Sequence, residues 1–477
     1  MRTQLRQRFV AVTLAAMLLV GCSIYTPRTN FEPTVKLPDS FLDTGVEAPN
    51  RWWDDIDDPE LARLIEATLG DSLSLRMAWA RLDQMRAVAR AVGAHRYPTA
   101  DLAMVGERRE VGGDRGPYPL GSQDGTVDTT LASLTVGYQV DLWKKISNRR
   151  KAALYDLKSS RQDVEATALA LTGAAGELWY GIAADQATLR LLDEQLDVSQ
   201  DFLDLVQLRF VNGLASAVEV YQQRLQVETT RNQMPVTNIR LATRKHQVAV
   251  LLGREPSAPI PLPAAVLPEL PPLPATGIPL EVLRSRPDVR SAELQLIATD
   301  HRLSVAIADR YPSLSISATT GGQAESFADI LDQWFFNLAA NLFAPIFDGG
   351  RRAAEADRNR AVVEERFYAW ESALLVACAE VEDALVTEHG INETNRILVT
   401  QLELAQTSLE RSRALYANGL TDYLTVLTSL QALQELQRQS ITTRQEHLSN
   451  RIRLYLALGG CWPRLLERHA TLTEKQS

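Results

Sequence analysis

Ionisable side chains are the place to look for chemistry, and the densest group in this 477-residue chain is Glu380, Glu382, Asp383, Glu388 and His389. Carboxylates and an imidazole can share acid–base work or hold a metal when they converge. Here they fall on a proline-free stretch of helix formers, where such a density of charge reads as a solvated helix face. The six histidines, His95, His246, His301, His389, His447 and His469, are scattered, and none forms a His-Glu-x-x-His pair or another metal spacing. No nucleotide-binding loop occurs, so hydrolysis of ATP by this chain is not expected. The expectation is a non-enzyme with no catalytic residue, cofactor or metal, and any energy must come from a partner.

The cysteines carry chemistry of another kind. Arg2, Arg6 and Arg8 precede an apolar run over residues 9–20, and Leu19-Val20-Gly21-Cys22 follows at once. Twelve residues are too few to span a bilayer as a helix, so the run reads as a secretory signal. Its end resembles a bacterial lipobox, in which Cys22 is lipidated, as in a palmitate-bearing lipoprotein, and becomes the mature N-terminus. Ser23 after the Cys is compatible with delivery to the outer membrane. Cys378 and Cys461 are expected to be free or buried thiols. The formal charge is -9, and losing three arginines with the leader leaves about -12, which argues against a nucleic-acid partner.

What must position these residues is a duplicated module. Arg96-Tyr97-Pro98 recurs as Arg310-Tyr311-Pro312, Asn212-Gly213-Leu214 as Asn418-Gly419-Leu420, and Leu251-Leu252-Gly253 as Ala457-Leu458-Gly459. Gly213 to Gly253 and Gly419 to Gly459 are both 40 residues, and a period near 206 is too long for a solenoid.

Each copy alternates two kinds of segment. Residues 145–211 and 348–417 lack proline and are rich in Ala, Leu, Gln, Glu and Arg, which predicts helices of roughly 100 Å at about 1.5 Å per residue. Each stops at Asn-Gly, a helix-ending pair, and a second helical run follows over 215–253 and 421–459. Long antiparallel helical hairpins result, with Pro235 expected to kink the first returning helix. Ahead of each hairpin the period changes to two, the strand signature. In 131–143, Ala132, Leu134, Val136, Tyr138, Val140 and Leu142 alternate with Ser133, Thr135, Gly137, Gln139 and Asp141. Leu314, Ile316 and Ala318 alternate with serines and Thr319, and 99–107 and 334–346 complete four strands. The first hairpin carries a longer loop, Gly-rich over 111–126.

Strands of this length with one apolar and one small-polar face match membrane β-strands, which need about 9–11 residues. An open sheet cannot sit in lipid, because its edge N–H and C=O groups would go unsatisfied. Four strands are too few to close a barrel. The barrel must therefore be shared between copies, two giving a narrow barrel and three a wider one, and the polar inner face favours a water-filled channel.

With the lipobox, paired strand and helical hairpins, Asn-Gly-Leu turns and the closing Tyr455-Leu456-Ala457-Leu458-Gly459-Gly460-Cys461-Trp462, the chain resembles the TolC-like outer-membrane efflux proteins, specifically the OprM and NodT lipoprotein branch. Arg286-Pro287-Asp288-Val289-Arg290 and Ala344-Pro345-Ile346-Phe347-Asp348-Gly349-Gly350 are similar to stretches of that branch. The resemblance implies an α+β membrane fold: a homotrimer whose twelve-stranded outer-membrane barrel continues into a periplasmic α-helical barrel. It implies a passive exit duct, the last part of a tripartite efflux system of the RND kind. A periplasmic adaptor and an inner-membrane transporter would be the partners. Three departures stand out: Lys144 follows Trp143 where Gly is usual, Cys461 replaces a Gly, and Thr428 stands where an aspartate is often found. The hairpin tips become the expected aperture, with Glu219, Asp422, Leu424 and Thr428 near it; Asp422 as a mere helix cap is an equal alternative. Asn212, Gly213, Leu214, Asn418, Gly419 and Leu420 are the expected adaptor-docking residues. The competing readings are a coiled-coil adhesive or structural outer-membrane lipoprotein without a pore, and a duct for protein secretion.

The expected organisation is a lipoprotein signal peptide over 1–21, a lipid-anchored extended segment over 22–60, and a first repeat over 61–254. A Pro-rich belt with nine prolines over 255–279, a second repeat over 280–463 and a polar tail over 464–477 complete it.

Overall fold

The computed structural model of the protein describes residues 24–36, 38, 51–111, 125–274 and 283–460. The signal peptide, Cys22, the middle of the first hairpin loop, Cys461 and the polar tail lie outside the described residues.

Three short helices come first: α1 (Trp52–Asp55), α2 (Pro59–Asp71) and α3 (Leu73–Ala94). Strands β1 (Thr99–Val111) and β2 (Gly125–Val140) form a hairpin, then α4 (Lys145–Val211) and α5 (Ala217–Leu251) a helical one. The second half repeats the order with α6 (Pro287–Ala308), β3 (Ser313–Ala324), β4 (Trp334–Phe343), α7 (Arg351–Ala417) and α8 (Tyr423–Ala457). Helices α4 and α7 each have 67 residues, α5 and α8 each 35, so the duplication extends to element length. Helix α5 runs through Pro235 as one element. Among the described residues no helix is long and apolar enough to cross a membrane.

The described residues divide into two units: those within 1–32, 83–159 and 292–370, and those within 33–82, 160–291 and 371–477. The first holds an antiparallel sheet in the order β1-β2-β3-β4. Antiparallel partners share a face, and the register stacks like with like. Leu102 pairs with Leu134, Val136 with Ala318, Tyr138 with Ile316, Ala318 with Leu338 and Leu314 with Leu342. The other face aligns Thr135 with Thr319 and Ser315 with Asn341, and the two threonine hydroxyls are 3.2 Å apart. Strand β2 stops two residues before Leu142 because Asp141 turns to accept the Ile146 and Ser147 N–H groups, both at 2.8 Å, at the start of α4. Strand β4 stops at Phe343 because Pro345 offers no N–H and holds Ala344 out of regular pairing geometry.

Two apolar clusters stand out among the described residues of the second unit. One gathers Trp52, Trp53, Leu61, Ile65, Trp179, Tyr180, Ile452 and Tyr455. Asp58 secures it twice over, capping α2 through Glu60 and Leu61 N–H and accepting the Trp179 indole N–H at 2.9 Å. The other cluster joins the ends of the helical hairpins: Phe202, Val206, Val220, Val227, Leu409, Tyr416, Tyr423, Val426 and Leu430.

Candidate functional site

The two hairpin tips are built alike. Gly213 and Gly419 take φ of +71° and +72°, the left-handed conformation that only glycine adopts cheaply. That turn lets Leu214 N–H reach Arg209 O at 2.8 Å and Leu420 N–H reach Leu415 O at 2.9 Å, closing each helix end in a Schellman-type pattern. Asn212 and Asn418 donate their side-chain amides to Leu208 O and Ala414 O, each at 2.7 Å. Leu214 and Leu420 are left exposed, at 66% and 73%.

The helices leaving the tips start differently, and the difference fixes what the expected aperture residues bond to. Ser216 caps α5 in a reciprocal box with Glu219, whose carboxylate accepts Ser216 N–H at 3.1 Å. Asp422 caps α8, accepting Thr425 N–H at 3.0 Å and the Thr425 hydroxyl at 2.6 Å. Those bonds hold the Asp422 carboxyl below its ordinary pKa. Of the two sequence readings of Asp422, the local geometry matches the cap. Leu424 is exposed, as is Thr428, which donates to Thr425 O at 3.1 Å; four residues apart, they share a helix face.

Glu219 also reaches the other hairpin. Its second oxygen accepts the Tyr416 hydroxyl at 2.8 Å, and Tyr423 donates to Gln223 Oε1. The two tyrosine rings meet edge-on at 5.6 Å, and the Arg209 guanidinium lies 4.4 Å from the centre of the Tyr416 ring. Burial, with the Glu219 charge added, pushes the Tyr416 hydroxyl up to about 12. Behind the tyrosines runs a ladder of amides, with Gln195, Gln223, Gln226 and Gln434 buried and Gln431 at its exposed edge. Gln223 donates to Ser199 O at 2.6 Å, Gln226 to Gln434 Oε1 at 2.9 Å, Gln431 to Gln226 Oε1 at 2.8 Å and Gln195 to Gln434 O at 3.0 Å. Sequence reasoning missed this seam, though a signal was present: Leu192, Gln195, Ser199, Phe202 and Val206 follow the 3,4 spacing of a coiled-coil core with polar residues in mid-run.

The cluster expected to be a solvated face is corrected at one position. Glu388 is fully buried, binding Arg451 at 2.5 Å, His447 at 2.7 Å and Asn450 at 3.0 Å. Burial alone would raise its pKa, but the His447 and Arg451 hydrogen bonds outweigh it and bring it down to about 2. Arg451 donates onward to Pro271 O at 2.7 Å and Pro272 O at 3.1 Å, tying down the Pro-rich crossing. Helix periodicity had hidden this, because Arg451 and His447 lie more than 50 residues away on the returning helix.

The N-terminal segment is held by two more buried carboxylates. In the first unit Asp300 accepts the Tyr25 hydroxyl at 2.5 Å and Arg28 N–H at 2.6 Å. In the second, Glu371 accepts Thr34 N–H at 2.5 Å and the Thr34 hydroxyl at 2.7 Å. Lys144 takes φ of +57°, so the missing glycine leaves its conformation behind on a residue that adopts it at a cost. Cys378 is a free, partly buried thiol, raised in pKa by burial and then by Glu382.

The remaining surface of interest is the sheet. Leu102, Leu134, Ile316, Trp334, Phe336, Leu338 and Leu342 are all exposed on one face. Soluble proteins do not present such a continuous apolar face to water. On that face Arg108 meets Asp128 at 3.6 Å, so charge appears where the apolar band ends.

The family model for the outer membrane efflux protein matches residues 64–254 and again 278–460. The chain belongs to the outer membrane efflux protein family. Two matches in one chain give the duplication its family meaning. The pyoverdine export outer membrane protein OpmQ of Pseudomonas aeruginosa is 31% identical over 473 residues, which cover 94% of this chain and 96% of that one. The toluene efflux pump outer membrane protein TtgC of Pseudomonas putida is 28% identical over 476 residues, 95% of each. A crystal structure of a membrane protein from Pseudomonas aeruginosa superposes with a TM-score of 0.85 at 24% identity, covering 92% of this chain and all of that one, so the TolC-like fold is shared. The protein is therefore an outer-membrane channel component of an efflux pump, and the family is not enzymatic.

Proposed function

We propose that three copies of this chain close their sheets into one twelve-stranded barrel and their helical hairpins into one tunnel, forming the exit duct of a tripartite efflux system. The carrying observation is the sheet: four strands with a continuous exposed apolar face and two edges, β1 and β4, open for pairing. In lipid those edges must be satisfied, and another copy of the same sheet is the economical partner. Lipidation at Cys22 anchors each chain to the outer membrane, and the bulk of the helices lies in the periplasm.

The hairpin tips form the periplasmic aperture. The exposed Leu424 and Thr428 face contributes the constriction, and Asp422 and Glu219 brace it, one as a cap and one as a latch onto Tyr416. A periplasmic adaptor docks on the tips around Asn212, Gly213, Leu214, Asn418, Gly419 and Leu420, where exposed leucines flank a glycine with open space around its Cα. An inner-membrane transporter supplies the energy. The relatives' differing cargoes, pyoverdine and toluene, fit a duct whose cargo is chosen by the pump behind it.

The test is direct. Purified outer membranes should yield a trimer on cross-linking, the protein should conduct ions in planar bilayers, and palmitate labelling should vanish in Cys22→Ser. A monomer extractable without detergent would overturn the reading.

A further inference from the structure

The polar face of the sheet is almost neutral, and Asp101 is the exception. Register aligns Asp101, Thr135, Thr319 and Asn337 in one row across all four strands. The row on one side is Thr99, Gly137, Ser317 and Ala339; the row on the other is Ala103, Ser133, Gly321 and Phe335. All of those side chains are uncharged. Farther along β1, Glu107 and Arg109 lie two residues apart on the same face and offset each other. Asp101 is exposed and has no ion-pair partner among the described residues.

We propose that Asp101 sets the charge selectivity of the strand-lined part of the channel, favouring cations over anions. The inference rests on the closed barrel of three copies argued above. Closure carries the polar face inward and repeats the row, placing three Asp101 carboxylates at one level of a water-filled lumen. Rings of acidic side chains select cations by raising their local concentration and repelling anions. The Thr99, Ser317 and Ser133 hydroxyls in the adjoining rows solvate a passing ion but carry no charge to cancel the ring. The field reaches about 10 Å into the lumen at 0.1 M salt and only about 3 Å at 1 M, so the preference must weaken with ionic strength.

The experiment is a reversal potential across planar bilayers under a potassium chloride gradient, using the full-length lipoprotein. Wild type should prefer potassium. Asp101→Asn should lower the potassium-to-chloride permeability ratio by about two- to fivefold near 0.1 M and by much less near 1 M. Asp101→Lys should turn the preference toward chloride. Asp128→Asn, on the opposite face and paired with Arg108, should leave the ratio as it was. A conducting wild type whose ratio is unchanged in both Asp101 variants overturns this assignment and leaves the channel standing. A wild type that never conducts overturns both.

Discussion

Glu388→Gln is the sharpest test of the energetics. The substitution keeps size and removes the charge, leaving Arg451, with a side chain only 3% exposed, facing two proline carbonyls and no anion. Breaking a buried pair from one side costs about 3–5 kcal/mol, because the surviving charge stays desolvated. The depressed pKa points to a similar magnitude. Glu388 sits at about 2 in the folded protein against 4.5 for the free side chain. At about 1.36 kcal/mol per pKa unit, that gap corresponds to about 3 kcal/mol. The depressed pKa fixes the sign: the contribution is complete above pH 4.5 and is lost as pH falls toward about 2. Melting followed by far-UV circular dichroism in detergent should therefore place the variant on the order of 10 °C below wild type at neutral pH. The deficit should narrow progressively below pH 4.5. Glu388→Met combined with Arg451→Met should recover much of it, since a hydrophobic pair removes the orphaned charge. Hydrogen exchange at Leu270 and Leu273 should quicken in Glu388→Gln, because Arg451 no longer holds the crossing in place. A deficit under about 1 kcal/mol, or one that is the same at pH 3 as at pH 7, would refute the cluster as a buried, charged clamp.

Three further outcomes follow from the same geometry. Leu134→Lys, on the apolar face, should cost about 2–4 kcal/mol and deplete the protein from outer-membrane fractions, while Ser317→Lys on the opposite face should insert normally. Lys144→Gly should raise the melting temperature by relieving about 1 kcal/mol of left-handed strain, and Gly419→Ala should lower it by a similar amount. Tyr416→Phe removes the bond to Glu219, worth about 1.5–3 kcal/mol, and single-channel recording should find the pore open more often; unchanged opening would remove that bond from the gate.

Local rules made much of the architecture legible. Proline-free runs and Asn-Gly ends predicted α4 to within a residue, since helix propensity and the glycine requirement at φ of +71° act along the chain itself. Period-two patterning placed the four strands but not their ends, because Asp141 and Pro345 end pairing through a cap and a missing donor. At the tips, the sequence does not show what Glu219 and Asp422 bond to. Asp422 serves its own helix, whereas Glu219 is claimed by Tyr416, 197 residues away.

Sequence by itself determined the duplication, the class of elements, the membrane character of the strands and the family, because periodicity, composition and turn chemistry are properties of neighbours along the chain. Only the tertiary structure decided that Glu388 is buried with Arg451, that Tyr416 latches Glu219, and that Asp101 stands as the one charge in its row. A carboxylate's burial, partner and row depend on which distant helix or strand packs beside it. Long-range packing and strand register set those neighbours, and no spacing along the chain encodes them.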